Sequence, residues 1–191
     1  MFLPLLTLAS SLGQAERLAF TNSGSKVQFH MAASLHEIDG EAQTFQGFLN
    51  INGPESHGEV TIQAGSLTTF LGVRDEKMHE ETLQVSRYPN IVYTIHSIEG
   101  GKKNKLTEER YQIDSHKGSG EVILHGTLKV ARVSQEISIP AAYRWEDDAL
   151  RLIGSVTIQW TDFSLPDPSI FISTLQPPVD IKFSVYASNH P

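Results

Sequence analysis

The chain contains no cysteine among its 191 residues. A disulfide framework, a thiolate metal site and a cysteine nucleophile are therefore excluded. Long runs of Lys or Arg are also missing, and the formal net charge is −7. Because nucleic-acid-binding proteins usually carry a basic patch, nucleic acid is not an expected partner.

The sequence also lacks an apolar run long enough to span a membrane. Its longest apolar segment, Phe2 to Leu12, is followed by small residues and then by charge at Glu16. This order is typical of an export signal over residues 1–15, cleaved after Ala15, although a positively charged start is missing. A buried first strand or helix is the alternative interpretation.

Patterns typical of catalytic and metal sites are absent too. The eight histidines form no His-x-His or His-Glu-x-x-His pattern, so no metal site is predicted. The chain has neither a Gly-x-Ser-x-Gly motif nor a glycine-rich phosphate loop. Ser66, Asp75 and His79 could be drawn as a hydrolase triad, with Arg74 in the same region. An envelope hydrolase stays open as an alternative, but an enzyme is not predicted.

Alternation of apolar and polar residues is abundant, and it marks strands with one buried side. Turn residues separate most of the alternating segments, among them Ile38-Asp39-Gly40 and Asn52-Gly53-Pro54. The segments cover residues 27–35, 45–51, 60–64, 91–96, 122–130, 137–145, 150–160 and 179–187. We predict an all-β fold of eight antiparallel strands, in one domain over residues 20–190.

A sandwich of two sheets and a closed barrel both satisfy this pattern. Long alternating strands favour the barrel, because a single sheet has to curl to bury one continuous surface. Gly47, Gly126 and Gly154 fall on the apolar phase, where they would permit bending or leave room inside. An eight-stranded barrel can enclose one small elongated ligand.

Residues 73–93, VRDEKMHEETLQVSRYPNIVY, interrupt the alternation. Asp75 is predicted to cap a short helix over about 74–84. Tyr88-Pro89 ends it, since proline disfavours helical geometry at the residue before it. One short helix among strands fits a lid over one end of the barrel, with the charges on its outer side.

This stretch and several later segments resemble the YceI family of lipocalin-like proteins. GEVILHGTLKV, QEISIPAAYRW and GSVTIQWTDFSLP are similar to later strands of that family. Departures from the pattern occur at Lys77, around Thr82 and Leu83, and at Ala131. The motif reads Ser-Leu-x-Thr, Arg-Asp, a short helix and Tyr-Pro, and here it matches Ser66, Leu67, Thr69, Arg74, Asp75, Tyr88 and Pro89.

The resemblance implies a periplasmic or secreted lipocalin-like barrel that carries or sequesters a long-chain amphipathic lipid. Polyisoprenoids, isoprenoid quinones and fatty amides are the implied ligand classes. No cofactor is expected besides such a lipid, and a homodimer is an implied partner state. The alternative is a filled barrel that serves as an interaction or stress-response module without a ligand.

The predicted ligand contacts come from the strands, the lid and one loop. Apolar-phase strand residues supply Phe29, Met31, Phe45, Tyr93 and Trp160. The lid region supplies Leu67, Phe70, Leu71, Met78 and Leu83. The proline-rich loop after the strand ending at Trp160 supplies Phe163 and Phe171. Arg74 and Asp75 are either head-group contacts or a local ion pair and helix cap.

Overall fold

The computed structural model describes residues 16–100, 113, 118–169 and 173–189. The predicted export segment and Phe171 lie outside these ranges. Within the described ranges, no helix combines the length and the apolar character that a membrane-spanning helix needs.

The described residues form ten β-strands that pair antiparallel with their neighbours, and β1 also pairs with β10, so the sheet closes. β2 and β3 both pair with β1, and the short β5 continues the path of β4, so the ten strands occupy eight positions around the barrel. The prediction of an eight-stranded antiparallel, lipocalin-like barrel is confirmed. The strands are β1 (Glu16–Ala33), β2 (Glu37–Ala42), β3 (Phe45–Ile51), β4 (His57–Gln63), β5 (Leu67–Thr68), β6 (Asn90–Gly100), β7 (Ser119–Val130), β8 (Val133–Glu146), β9 (Ala149–Gln159) and β10 (Leu175–Ser188).

Two details of the strand prediction are wrong. β1 begins at Glu16, well before Val27, and its pairing with β10 shifts register between Thr21 and Lys26, which hides the alternation. The supposed turn around Gly40 lies inside β2. A Cβ at Gly40 would lie 2.2 Å from Cζ of Phe29, so this glycine makes room for a ring instead of turning the chain.

The predicted helical segment is present as α1 (Gly72–Lys77), which continues into a π-helical turn over Met78–Thr82. Because α1 begins before Asp75, the prediction that Asp75 caps its start is wrong. Leu71 occupies the N-cap position and makes no side-chain capping bond. We call residues 67–83 the lid.

The barrel interior differs between its two ends. At the end away from the lid, tightly packed side chains fill the interior, with exposures between 0% and 9%. This group comprises Leu18, Leu49, Ile51, Ile98, Val122, Tyr143, Trp145, Leu150 and Ala187. We call it the filled half. At the lid end, the inward side chains of the same strands surround a cavity.

Candidate functional site

The cavity under the lid has a volume of about 750 Å³. Sites for small molecules usually measure about 300–1,000 Å³. All eight strand positions contribute aliphatic wall residues, among them Val60, Ile91, Leu128, Ile139 and Val156. With so apolar a wall, a ligand would gain free energy mainly by burying its own apolar surface.

Most of the predicted contact residues line this cavity. They are Phe29, Met31, Leu67, Leu71, Arg74, Met78, Leu83, Tyr93, Trp160 and Phe163. Phe45 is 3% exposed and belongs to the hydrophobic core, but it does not line the cavity; the Asn22 side chain binds its backbone N–H and carbonyl oxygen. Phe70 points outward, and Asp75 binds groups within the lid.

Aromatic rings in the wall lie against glycines. A Cβ at Gly126 would lie 2.2 Å from the Thr94 carbonyl oxygen and 2.9 Å from Cε2 of Tyr93. A Cβ at Gly154 would lie 2.5 Å from Cζ of Phe183. These two glycines therefore leave room inside the barrel, and the room is taken by rings.

Tyr93 is an aromatic wall residue whose hydroxyl is hydrogen-bonded within the barrel. Its hydroxyl donates to the Leu124 carbonyl oxygen at 2.7 Å. Burial, together with the nearby charge of Glu136, raises the pKa of Tyr93 above its ordinary value. The hydroxyl thus stays neutral and satisfied, and its ring is the part presented to a ligand.

Arg74 and Asp75 are linked through one buried residue, Thr69, which is 6% exposed. The Thr69 hydroxyl donates to Oδ1 of Asp75, and the Thr69 N–H donates to the same oxygen at 2.7 Å. Arg74 donates from Nε to the Thr69 hydroxyl at 2.7 Å and from Nη2 to its carbonyl oxygen at 2.8 Å. Thr69 thus binds both Arg74 and Asp75, which explains why the motif keeps four residues between its threonine and its Arg-Asp pair.

The carboxylate of Asp75 is an ionised anchor of the lid. It also accepts a bond from the Thr68 hydroxyl at 2.7 Å. Burial raises the pKa of Asp75, but the hydrogen bonds from Thr69 and Thr68 outweigh burial and hold the pKa below its ordinary value. Asp75 therefore fixes the start of α1 to the strand before it.

Phe70 has an unusual backbone conformation beside this anchor. Its φ of 62° lies in the left-handed region, which costs a bulky residue about 1–2 kcal/mol. Its N–H donates to the Thr68 hydroxyl at 3.0 Å, and its side chain is 69% exposed. The ring is held outward at the mouth instead of covering the cavity.

Charged side chains of the lid border the cavity mouth. They include two cations and three carboxylates: Arg74, Glu76, Lys77, Glu80 and Glu81. Lys77 donates from Nζ to the Ser169 carbonyl oxygen at 2.6 Å and lies 4.0 Å from the Glu81 carboxylate. The charges predicted for the outer side of the helix thus also form a rim, and its net negative charge disfavours an anionic group.

Two wall residues that the sequence did not single out as contacts carry unpaired buried hydroxyls. Within the described part of the chain, Oγ1 of Thr82 and Oγ of Ser173 have no hydrogen-bond partner. Their residues are 6% and 5% exposed, and both line the cavity. An unsatisfied buried hydroxyl costs about 1–3 kcal/mol, so a polar group of a ligand could stabilise either one.

The residues that could be drawn as a triad bind other groups. The Ser66 hydroxyl donates to the Gln63 carbonyl oxygen at 2.8 Å, and Nε2 of His79 donates to the Leu67 carbonyl oxygen at 2.8 Å. Asp75 binds the lid threonines, so no nucleophile–base–acid chain connects the three residues. Among the described residues, no group of three or more His, Asp or Glu side chains could hold a metal ion.

The closed sheet, the hollow end and the helical lid define a class of protein: a small β-barrel with an apolar cavity. The model of the YceI-like domain matches residues 19–187. The chain therefore belongs to the YceI-like family, which confirms the resemblance seen in its motifs. No curated protein matches the chain.

Solved structures share the fold at low sequence identity. Burkholderia cenocepacia BcnA is 14% identical, with a TM-score of 0.72 over 88% of this chain and 99% of that one. A polyisoprenoid binding domain from Saccharophagus degradans, implicated in plant cell wall breakdown, is 14% identical, with a TM-score of 0.69 over 90% and 97%. A Campylobacter jejuni YceI protein is 19% identical, with a TM-score of 0.62 over 81% and 86%.

Proposed function

We propose that this protein binds a long-chain amphipathic lipid in the cavity under the lid and carries or sequesters it without converting it. The observation that carries this proposal is the contrast between the two ends of the barrel. The filled half supplies a stable core, whereas the lid end leaves about 750 Å³ of apolar space. A barrel that served only as a packed interaction module would have no need of this space.

The ligand classes that we propose are polyisoprenoids, isoprenoid quinones and fatty amides. Membership of the YceI-like family supports them, and so does the shared fold of the Saccharophagus degradans polyisoprenoid binding domain. Burial of the tail would contribute roughly 25 cal/mol for each Å² removed from water, before the cost of ordering the chain. This term needs an apolar wall, and the cavity provides one.

The polar groups at the mouth favour a lipid with an uncharged head. The rim carries more carboxylates than cations, and Lys77 is engaged by Ser169 and Glu81. The unpaired hydroxyls of Thr82 and Ser173 can donate to a carbonyl or accept from a hydroxyl or amide. A quinone, an alcohol or an amide matches these groups better than a phosphate does.

We place the protein in the cell envelope, either periplasmic or secreted. The apolar segment from Phe2 to Leu12 and the family resemblance support export. N-terminal sequencing of the protein recovered outside the cytoplasm checks this, and a chain that stays intracellular with Met1 in place would contradict it.

Native mass spectrometry combined with lipid extraction tests the binding function. We expect one lipid for each chain of the purified protein. Val156→Trp places a large ring in the cavity and should abolish binding. Thr157→Trp, its outward neighbour on β9, serves as the matched control and should leave binding unchanged. A wild-type barrel that copurifies with no lipid and takes up none when lipid is added would overturn the proposal.

A further inference from the structure

Among the residues that the structure describes, the exposed large apolar side chains are concentrated around the cavity mouth. The described chain has five strongly exposed large apolar residues. Ile153 lies on the outer side of β9, but the other four are in two segments at the lid end. We call these four the docking rim: Leu35 (66% exposed), Phe70 (69%), Leu71 (53%) and Val73 (79%).

The two segments of the docking rim lie next to the cavity and to each other. Leu71 and Val73 line the cavity themselves, and Leu35 precedes His36, which also lines it. β5 pairs antiparallel with β2, so the chain that continues from β5 into Phe70 runs towards the β1–β2 turn that carries Leu35. The docking rim therefore forms an apolar part of the border of the opening, beside the charged side chains of the lid.

The backbone conformation of Phe70 indicates that the lid holds its ring in an exposed position. A bulky residue rarely adopts a positive φ, and here its N–H is tied to Thr68, whose hydroxyl is tied to Asp75. The same hydrogen-bond network that anchors the lid therefore also directs the ring into solvent. Within the described chain, no apolar neighbour covers the larger part of this ring.

We propose that the docking rim inserts into the interface of an uncharged or zwitterionic lipid bilayer. A lipid could then pass between the membrane and the cavity without exposing its tail to water. This inference rests on the proposed lipid-binding function. Phe and Leu are side chains that interfacial membrane anchors use, and an apolar patch beside a cavity mouth marks an interaction site.

The size and charge of the patch favour a bilayer over a second copy of the chain. At exposures of 53–79%, the four side chains form a patch on the order of 500 Å². A stable dimer buries about 800 Å² on each partner. The carboxylates of Glu76, Glu80 and Glu81 border the same opening, and the formal net charge is −7, so an anionic membrane would repel the protein.

Vesicle flotation tests the proposal. Full-length protein is mixed with phosphatidylcholine vesicles, or with vesicles that also contain phosphatidylglycerol. We expect co-flotation with the first and weaker co-flotation with the second. Leu71→Ser combined with Val73→Ser should lower vesicle partitioning at least tenfold, whereas Ile153→Ser, the control on the outer side of β9, should leave it unchanged.

Phe70→Gly separates docking from folding. Glycine adopts the positive φ without strain, so the urea midpoint should be retained or raised while vesicle binding falls. If vesicle binding is retained in this variant and in the double variant, the docking proposal is wrong.

The remaining outcomes distinguish this proposal from the proposed function. Uptake of detergent-dispersed lipid without any vesicle binding would overturn docking and leave the lipid-binding function standing. Failure to take up lipid in either form would overturn both. Sedimentation could also show a dimer that dissociates in the docking-rim variants. That result would mean that a second copy of the chain, and not a bilayer, covers this patch, and the docking proposal would be wrong.

Discussion

Replacement of Thr69 by valine should loosen the lid while keeping the shape of the side chain. The Thr69 hydroxyl donates to the Asp75 carboxylate and accepts from the Arg74 guanidinium, and both bonds are lost in Thr69→Val. Asp75 keeps its bonds to the Thr69 N–H and the Thr68 hydroxyl. Arg74 keeps only its bond to the Thr69 carbonyl oxygen.

The size of the effect follows from burial and charge. A hydrogen bond to a charged group contributes about 1.5–3 kcal/mol, so two such bonds amount to roughly 3–6 kcal/mol. The added methyl of valine offsets about 0.8 kcal/mol. Local relaxation and water entry lower the remainder, and we expect a loss of about 2–4 kcal/mol in lid stability.

Amide hydrogen exchange measures this loss where it occurs. The N–H groups of Arg74 and Asp75 donate to the Leu71 carbonyl oxygen at 2.9 and 3.0 Å, and their exchange reports opening of α1. About 3 kcal/mol corresponds to exchange roughly a hundredfold faster than in the wild type. Urea unfolding, followed in parallel, shows whether the lid opens separately from the barrel.

Thr157→Val is the matched control. The Thr157 hydroxyl also donates to an aspartate, Asp180, at 2.5 Å, but this pair is exposed on the outer side of the barrel. Because the pair is exposed to solvent, loss of this hydrogen bond should lower the free energy of unfolding by less than about 1 kcal/mol. Equal effects of Thr69→Val and Thr157→Val, on both exchange and urea midpoint, would refute the view that the buried bridge holds the lid.

Three further predictions concern the wall, the outer surface and the mouth. Gly126→Ala should lower the free energy of unfolding by about 2 kcal/mol or more, because the added Cβ would overlap the Thr94 carbonyl oxygen. Gly72→Ala is the control, because its added Cβ meets nothing within 4 Å. Urea unfolding should show no change in stability for this control. The hydrogen bond that His30 donates from Nδ1 to the Asp39 carboxylate at 2.9 Å raises the pKa of His30 above 6.5; burial opposes this rise and the charge of Glu37 assists it. The stability that His30 contributes is therefore fully present below pH 6.5 and is lost as the pH rises through the raised pKa. An NMR titration of His30 measures the pKa, and unfolding of the wild type and His30→Gln over a pH series measures the stability. A pKa at or below 6.5 would contradict this prediction. Because the rim carboxylates repel an anionic head, oleamide should bind at least tenfold more tightly than oleate in calorimetry at neutral pH. Equal affinity would show that the rim carboxylates do not determine which ligand binds.

The sequence was sufficient to predict the barrel because alternation is a local signal of strands with one buried side. The lid was predictable for a similar reason, since charges and Tyr88-Pro89 interrupt the alternation. The interpretation of Asp75 as a helix cap failed because its partners, Thr68 and Thr69, lie in the preceding segment. Only the folded chain shows that they reach the same carboxylate.

The division of the barrel into a hollow end and a filled half was not predictable from residue types. Leu150 and Leu152 are both inward leucines on β9, yet the first lies in the filled half and the second lines the cavity. The difference arises from what packs opposite each residue across the barrel. Gly40 is a second case. From the sequence, a glycine between polar residues indicates a turn, and only the structure shows that it makes room for the ring of Phe29.

The chain has two tryptophans, and their different positions allow a direct test of whether the ligand binds in the cavity under the lid. Trp160 lines the cavity, whereas Trp145 is 9% exposed and belongs to the filled half. The measurement is the titration of the variants Trp145→Phe and Trp160→Phe with a fatty amide brominated in its tail. We predict saturable quenching at one equivalent when Trp160 is the remaining tryptophan, and little quenching when Trp145 remains. Equal quenching of both, or of neither, would contradict binding in the cavity under the lid.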